Sequence, residues 1–329
     1  MRISLVSTAL LASLLATSST LAADVVRFQF SWLPGGDRAA YYLAQQQGLF
    51  AAEDLDVTLI AGRGSSDAIT KIATGAADLG EGGLDALLSA KVEAEVPVIA
   101  VMPVYTRAPD GLLTTADSGI AGIEDVAGKT VGTSPFTSSN GPWPFLLSDN
   151  GVDPAQVNTT QADANALPAM LTTGQVDAII QYVTNAPGTA AILEEAGKEQ
   201  VVIPWADYGL DGYSASIFAN AQFLADNRDV VIRFTRALRK AEEMLRADPA
   251  AGAAAVKDAI PEIDLDVTLA MANATLPLVF NESTEAAGLG VFDPARVTTT
   301  WEWVAKQKDV APDTLDPMAA VDFDIARGE

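Results

Sequence analysis

Residues 72–78 read Ile-Ala-Thr-Gly-Ala-Ala-Asp, and residues 171–177 read Leu-Thr-Thr-Gly-Gln-Val-Asp. Thr74, Gly75 and Asp78 recur as Thr173, Gly174 and Asp177 at one common offset of about 99 residues. Each copy follows an amphipathic stretch and precedes an apolar one, Leu79-Gly80 in the first and Ala178-Ile179-Ile180 in the second. A glycine that ends a helix takes the left-handed conformation without a Cβ penalty. Each copy therefore reads as helix, turn and strand, and two similar lobes are the economical explanation.

Outward from the first copy, strands and helices alternate. Residues 25–31 (VVRFQFS) are β-branched and aromatic and read as a strand. The turn Leu33-Pro34-Gly35-Gly36-Asp37 leads to a helix over 38–47, closed by Gly48. A strand over 57–60, a helix over 67–74, a strand over 77–80, a helix over 84–91 and an apolar strand over 96–104 follow. This alternation implies βαβ units around mainly parallel sheets, an α/β fold. A second lobe starts at residues 123–133, and its loop 134–140 (SPFTSSN) runs into a helix carrying Trp143 and Phe145. Strands are read at 201–205 and 214–219, then helices at 229–246, 250–259, 265–279 and 294–307, expected to pack on the first lobe. Lobe one is assigned residues 24–107 plus 216–329 and lobe two 108–215, with crossings at 105–111 and 208–213.

Composition excludes whole classes of chemistry. The 329 residues include no Cys and no His. Disulfides, thiolate zinc sites, Cys nucleophiles and a lipid-modified N-terminal Cys are ruled out, as are triads built on imidazole. A formal charge of −23 repels phosphate backbones, so no nucleic-acid partner is expected. Arg2, the apolar run 3–16 and the small residues Thr20 and Ala22 describe a cleaved signal peptide over residues 1–23, too short to span a membrane. Export without disulfide or lipid anchor points to a periplasm.

An ordered series of segments carries a family resemblance: Trp32-Leu33-Pro34, Ala39-Ala40-Tyr41-Tyr42-Leu43-Ala44, Gly48-Leu49-Phe50 and Asp54-Leu55-Asp56-Val57, then Gly64-Ser65 and Thr74-Gly75-Ala76-Ala77-Asp78-Leu79-Gly80. It continues through residues 123–132 (IEDVAGKTVG), Tyr208-Gly209, Tyr213, Asn227, Arg233-Phe234, Ala237, Lys240-Ala241 and Asp248-Pro249. The chain resembles the solute-binding proteins of bacterial ABC importers for nitrate, sulfonates, taurine and thiamine-precursor pyrimidines. That resemblance implies a two-lobed periplasmic-binding-protein fold of type II, each lobe a mainly parallel sheet flanked by helices, with two crossovers. It also implies a small-molecule ligand held between the lobes, an inner-membrane permease as partner, a monomer, and no cofactor, metal or catalytic residue. In the pyrimidine-binding branch Asn-His follows Trp-x-Pro, where this chain has Asp37-Arg38. A related fungal enzyme relies on a His and a Cys-rich motif, both absent here.

In open α/β lobes ligands sit beyond the carboxyl ends of the strands. Trp32, directly after the first strand, is placed to stack on a flat ligand, or else to fill the core. Tyr41 and Tyr42 lie a turn further on, and one of them can face the cleft. Gly64-Ser65-Ser66 and Thr137-Ser138-Ser139-Asn140 each precede a helix, where N–H groups and hydroxyls either bind an anion or cap their own helix. Glu81 with Gly82-Gly83 and Gln181-Tyr182 close the two echo strands. Asp37, Arg38 and Arg63 are candidates for charge complementarity. Arg107 and Asp211, in the crossovers, are expected in hinge ion pairs, and Trp301 and Trp303 as packing residues. Trp32, Tyr182 and Glu81 favour a nitrogen heteroaromatic ligand; the serine-rich helix starts with Arg38 or Arg63 favour a sulfonate or carboxylate. An exported hydrolase finds no nucleophile elbow or acid/base motif, and a sensory protein on the same lobes stays open.

Overall fold

In the computed structural model, which describes residues 22–328, Gly75 and Gly174 both adopt φ +72°. The signal peptide expected over residues 1–23 lies outside the described residues but for its last two positions. The strands are β1 (Asp24–Gln29), β2 (Leu55–Ile60), β3 (Leu79–Gly83), β4 (Val98–Pro103), β5 (Asp110–Thr115), β6 (Thr130–Thr133), β7 (Asn158–Gln161), β8 (Ala178–Tyr182), β9 (Gln200–Pro204) and β10 (Ala215–Asn220). The helices are α1 (Ala39–Gln46), α2 (Ser65–Ala73), α3 (Leu84–Glu93), α4 (Trp143–Asp149), α5 (Leu167–Thr172) and α6 (Ala186–Glu195), then α7 (Ala221–Asp226), α8 (Arg228–Ala247), α9 (Pro249–Ala259), α10 (Leu265–Val279), α11 (Glu282–Ala287) and α12 (Pro294–Lys308).

Two five-stranded sheets form, in the orders β2-β1-β3-β10-β4 and β7-β6-β8-β5-β9. β1 pairs in parallel with β2 and β3, while β10 is antiparallel to both β3 and β4. β6 likewise pairs in parallel with β7 and β8, and β5 is antiparallel to β8 and β9. Four strands of each sheet thus run one way, and the reversed strand of each is the one entered from the other lobe. The sequence echo occupies the same place in both: Asp78 Oδ2 accepts the Arg27 N–H of β1 at 2.8 Å, and Asp177 Oδ2 accepts the Thr130 N–H of β6 at 2.7 Å. The repeated Thr-Gly-x-x-Asp is a device that ends a helix and pins the following strand to its parallel neighbour.

Alternation along the strands fills both faces of each sheet. On β10, Ile217 and Ala219 join one core cluster and Phe218 the other. On β5, Leu112 and Leu113 point to opposite sides of the second sheet. Helix α8 buries Val230, Phe234, Leu238, Ala241 and Leu245, the helical spacing read from sequence. Phe234 stacks on Phe28 of β1 at 5.1 Å. Buried Trp143 stacks on Trp205 at 5.2 Å.

Residues 104–109 carry the chain into the second sheet and residues 205–214 bring it back. Asp211 pairs with Arg296 of α12, at 2.7 Å. The same guanidinium donates to Thr106 O at 2.7 Å, so it holds both crossovers together. The late helices do more than cover the first lobe. Gly188 of α6, in the second lobe, lies against Val267 and Met271 of α10, and Gly36 is pressed onto the α10 backbone at Thr268. Lys306 of α12 pairs with Asp149 of α4 at 2.5 Å. Among the described residues no helix is long and apolar enough to cross a membrane.

Candidate ligand-binding site

β1 and β8 end on opposite sides of one cleft. Ser31 and Trp32 follow β1, and Gln181 and Tyr182 complete β8. The start of α2 meets the loop after β6: Ser66 N–H donates to Phe136 O at 3.3 Å. Gly64, at φ +150°, lies so close that a Cβ there would sit 2.0 Å from Phe136 O. Deeper in, the Tyr182 hydroxyl is 2.9 Å from Ser138 Oγ and 3.2 Å from Ser214 Oγ. The lobes are therefore closed on each other. They leave a cavity of about 20 Å³ lined by Ser31, Trp32, Gly64, Ser65, Thr137, Gln181, Tyr182 and Asn185. That space holds about one water, so a ring-sized ligand enters only when the walls separate.

Beneath the cavity floor lies a buried polar cluster. Arg38 donates to Asp37, to Glu81 Oε1 at 2.5 Å and to Ser31 Oγ at 3.2 Å. Ser31 Oγ donates to Glu81 Oε1 at 3.0 Å, and the Tyr41 hydroxyl to Glu81 Oε2 at 3.1 Å. The Tyr105 hydroxyl donates to Asp37 O at 3.3 Å. Burial works against the Arg38 charge, and Asp37 and Glu81 more than offset it, so the guanidinium is held firmly protonated. Burial raises the Asp37 carboxyl despite the Arg38 charge beside it. Burial, with Asp110 and Asp85 nearby, raises the Tyr182 phenol, which stays neutral.

Trp32, Ser65, Thr137, Gln181 and Tyr182 thus share one cavity. Asp37, Arg38, Tyr41 and Glu81 lie below it in one hydrogen-bonded network, in which Asp37 Oδ1 and Arg38 Nε meet no partner among the described residues, with Glu81 inside β3 rather than at its end. Tyr41 and Tyr42 are both core residues against Phe30, and of the two it is the Tyr41 hydroxyl that bonds the cluster. Arg63 turns outward to Asp67 at 3.0 Å and covers the Phe136 ring, and the Ser66 side chain is exposed. Gly82 abuts the Phe218 ring. Ser139 is fully buried and donates to Asp110 Oδ1 at 2.6 Å. Asn140 bonds Thr133 Oγ1 and Ser134 O within its own lobe. Sequence reasoning missed Ser31, whose only signal was its place beside Trp32, and Asn185, in the short turn Val183–Asn185 just past β8. Trp301 is buried, its indole N–H bonded to Pro312 O at 2.7 Å, while Trp303 packs on the core of the second lobe. Among the described residues no group of three or more Asp or Glu could hold a metal.

Residues 36–252 match the family described as NMT1/THI5 like. The chain belongs to that family. Its relatives include the formylaminopyrimidine-binding protein of Halalkalibacterium halodurans, 24% identical over 69% of this chain and 68% of that one. The riboflavin-binding protein RibY of Chloroflexus aurantiacus is 27% identical over 85% of this chain and 80% of its own. A 4-amino-5-hydroxymethyl-2-methylpyrimidine phosphate synthase of Aspergillus parasiticus is 27% identical over 70% and 69%. Among solved structures, the alkanesulfonate-binding protein SsuA of Xanthomonas axonopodis superposes with a TM-score of 0.71 at 16% identity, covering 90% of this chain and 97% of that one. The nitrate-binding protein NrtA of Synechocystis gives 0.69 at 10% identity, over 93% and 88%. The fold of this NMT1/THI5-like protein is that of the periplasmic binding proteins.

Proposed function

We propose that this protein is the periplasmic solute-binding component of an ABC importer and closes on a small, flat, uncharged nitrogen heterocycle. The observation that carries the reading is the lining of the interlobe cavity. Trp32 from one lobe and Tyr182 from the other supply aromatic surface, and the remaining side chains there are uncharged hydroxyls and amides. A sulfonate or carboxylate needs an available cation or several aimed donors. Arg38 is already spent on Asp37 and Glu81, and Arg63 on Asp67 outside the cavity. That charge accounting favours the heterocycle over the sulfonate alternative.

Relatives bear names of both binding proteins and synthases. The chain's lack of any His or Cys supports binding without chemical conversion. Two lobes joined by two crossovers supply the means: only the closed state touches ligand from both sides, so ligand shifts the open–closed equilibrium. An inner-membrane permease that reads the closed form, export through a cleaved signal peptide without a lipid anchor, and a monomeric state complete the proposal.

A calorimetric and thermal-shift panel tests it. A flat neutral heterocycle at 100 times its Kd should add about 2.7 kcal/mol of stability. Trp32→Ala should weaken that binding by roughly tenfold or more through lost stacking while leaving the ligand-free melting temperature nearly unchanged, because Trp32 is only half-buried. Preferential binding of taurine or benzenesulfonate, or conversion of the heterocycle during incubation, would reject the reading.

A further inference from the structure

Two cavity-lining hydroxyls, one from each lobe, have their protons already committed. Ser31 Oγ donates to Glu81 Oε1 at 3.0 Å and accepts from Arg38 Nη2 at 3.2 Å. Arg38 is a donor only, and the Glu81 carboxylate an acceptor only. The serine proton therefore points to Glu81, and what Ser31 has left is one lone pair. Across the cleft, Thr137 Oγ1 donates to Ser139 Oγ at 3.3 Å, and Ser139 Oγ donates to Asp110 Oδ1 at 2.6 Å. This relay also ends on a buried carboxyl and leaves Thr137 as an acceptor. Gln181 is fixed in the opposite sense. Its carbonyl oxygen accepts from Thr189 Oγ1 at 3.1 Å, so its amide N–H groups are what it can offer.

We infer that Glu81 is the positioning residue for ligand selectivity: it fixes Ser31 as a hydrogen-bond acceptor in the first lobe's wall, so the site selects heterocycles that present N–H at that point. The inference rests on the proposed closure around a neutral heterocycle and adds the polarity of the contacts. Asp110 acts in the same way on Thr137. A ligand that donates to Ser31 and Thr137 and accepts from Gln181 meets each of these three groups in its available sense. An N-alkylated analogue leaves a buried lone pair facing a methyl group, and unmatched buried polar atoms are penalised more heavily than matched ones are rewarded.

The test uses two pairs of compounds that differ only at nitrogen, with benzenesulfonate as the anionic control. The pairs are uracil with 1,3-dimethyluracil, and 4-aminopyrimidine with 4-(dimethylamino)pyrimidine. Calorimetry on the full chain is expected to show at least about tenfold preference for the N–H member of a pair. Ser31→Ala and Glu81→Gln should each pull that preference toward unity. A merely structural role for Glu81 would weaken both members equally and leave their ratio unchanged. Ser31→Ala removes a few atoms and leaves the Arg38–Glu81 pair in place, so it keeps the test valid if Glu81→Gln does not fold. Equal binding of both members, or a preference that survives Ser31→Ala, overturns the inference while the heterocycle reading stands. Binding of benzenesulfonate without either heterocycle, or of no compound at all, removes that reading and the inference together.

Discussion

Glu242 faces inward from α8 with 2% of its surface exposed, and its Oε2 meets no hydrogen-bond partner among the described residues. Burial, reinforced by Glu81, pushes its carboxyl up to about 8. The folded protein therefore keeps this proton to about pH 8, while the unfolded chain releases it near the ordinary glutamate value of about 4.3. Stability from this group is complete in acid and falls as pH rises from about 4 through 8, by at most ~1.4 kcal/mol per pH unit. Glu242→Gln removes the slope. Its melting temperature should gain on the parent between pH 5 and 8 and hold a level advantage above that. A difference independent of pH would show that Glu242 is ionised inside the fold. Residues of the site were legible in sequence where position alone decides, as with Trp32 and Tyr182 at strand ends. Arg38 was not, because whether its charge is free depends on Glu81, 43 residues away.

At the scale of elements, the Thr-Gly-x-x-Asp echo supports a matched experiment. A Cβ on Gly75 or Gly174 would meet nothing within 4 Å among the described residues, so replacement by alanine changes chiefly backbone energy. Both glycines sit at φ +72°, and holding an alanine there costs about 1–2 kcal/mol. Gly75→Ala and Gly174→Ala should destabilise by similar amounts in urea titrations, and the double variant should approach their sum. A large cost at only one would mean that the two turns are not equivalent. The echo was readable because its parts lie within seven residues. β7 (Asn-Thr-Thr-Gln) was not: it is a polar, largely exposed edge strand whose only credential is its pairing with β6. β5 begins at Asp110, inside a stretch that Gly and Asp content assigned to a crossover; pairing with β8 and β9 makes it a strand. Helix α8, amphipathic over its whole length, needed no such distant information.

For the whole molecule, closure brings together two carboxyl groups that sequence distance hides. Asp85 from α3 in the first lobe and Asp110 from β5 in the second line one cavity of about 30 Å³ beside the crossovers. Burial, with Asp110 facing it, pushes Asp85 up to about 7. Burial pushes Asp110 up to about 6, although the Ser139 hydroxyl bond pulls the other way. Asp211, Tyr213, Trp303 and Gln307 share the cavity; among the described residues no Lys or Arg lines it, and Asp211 is taken by Arg296. The closed form therefore holds more protons than an open one, in which both carboxyls regain water and titrate near the usual value of about 4. Between pH 4 and about 7, rising pH draws protons off and favours opening, by up to about tenfold per unit for each group. The ligand-free protein should show a larger radius of gyration by solution scattering at pH 8.5 than at pH 5. Asp110→Asn should flatten that change, since one carboxylate then faces an amide, and α10 and α12 should keep both lobes in register throughout. A radius identical at the two pH values, in parent and variant alike, would mean that these carboxyls do not report on closure.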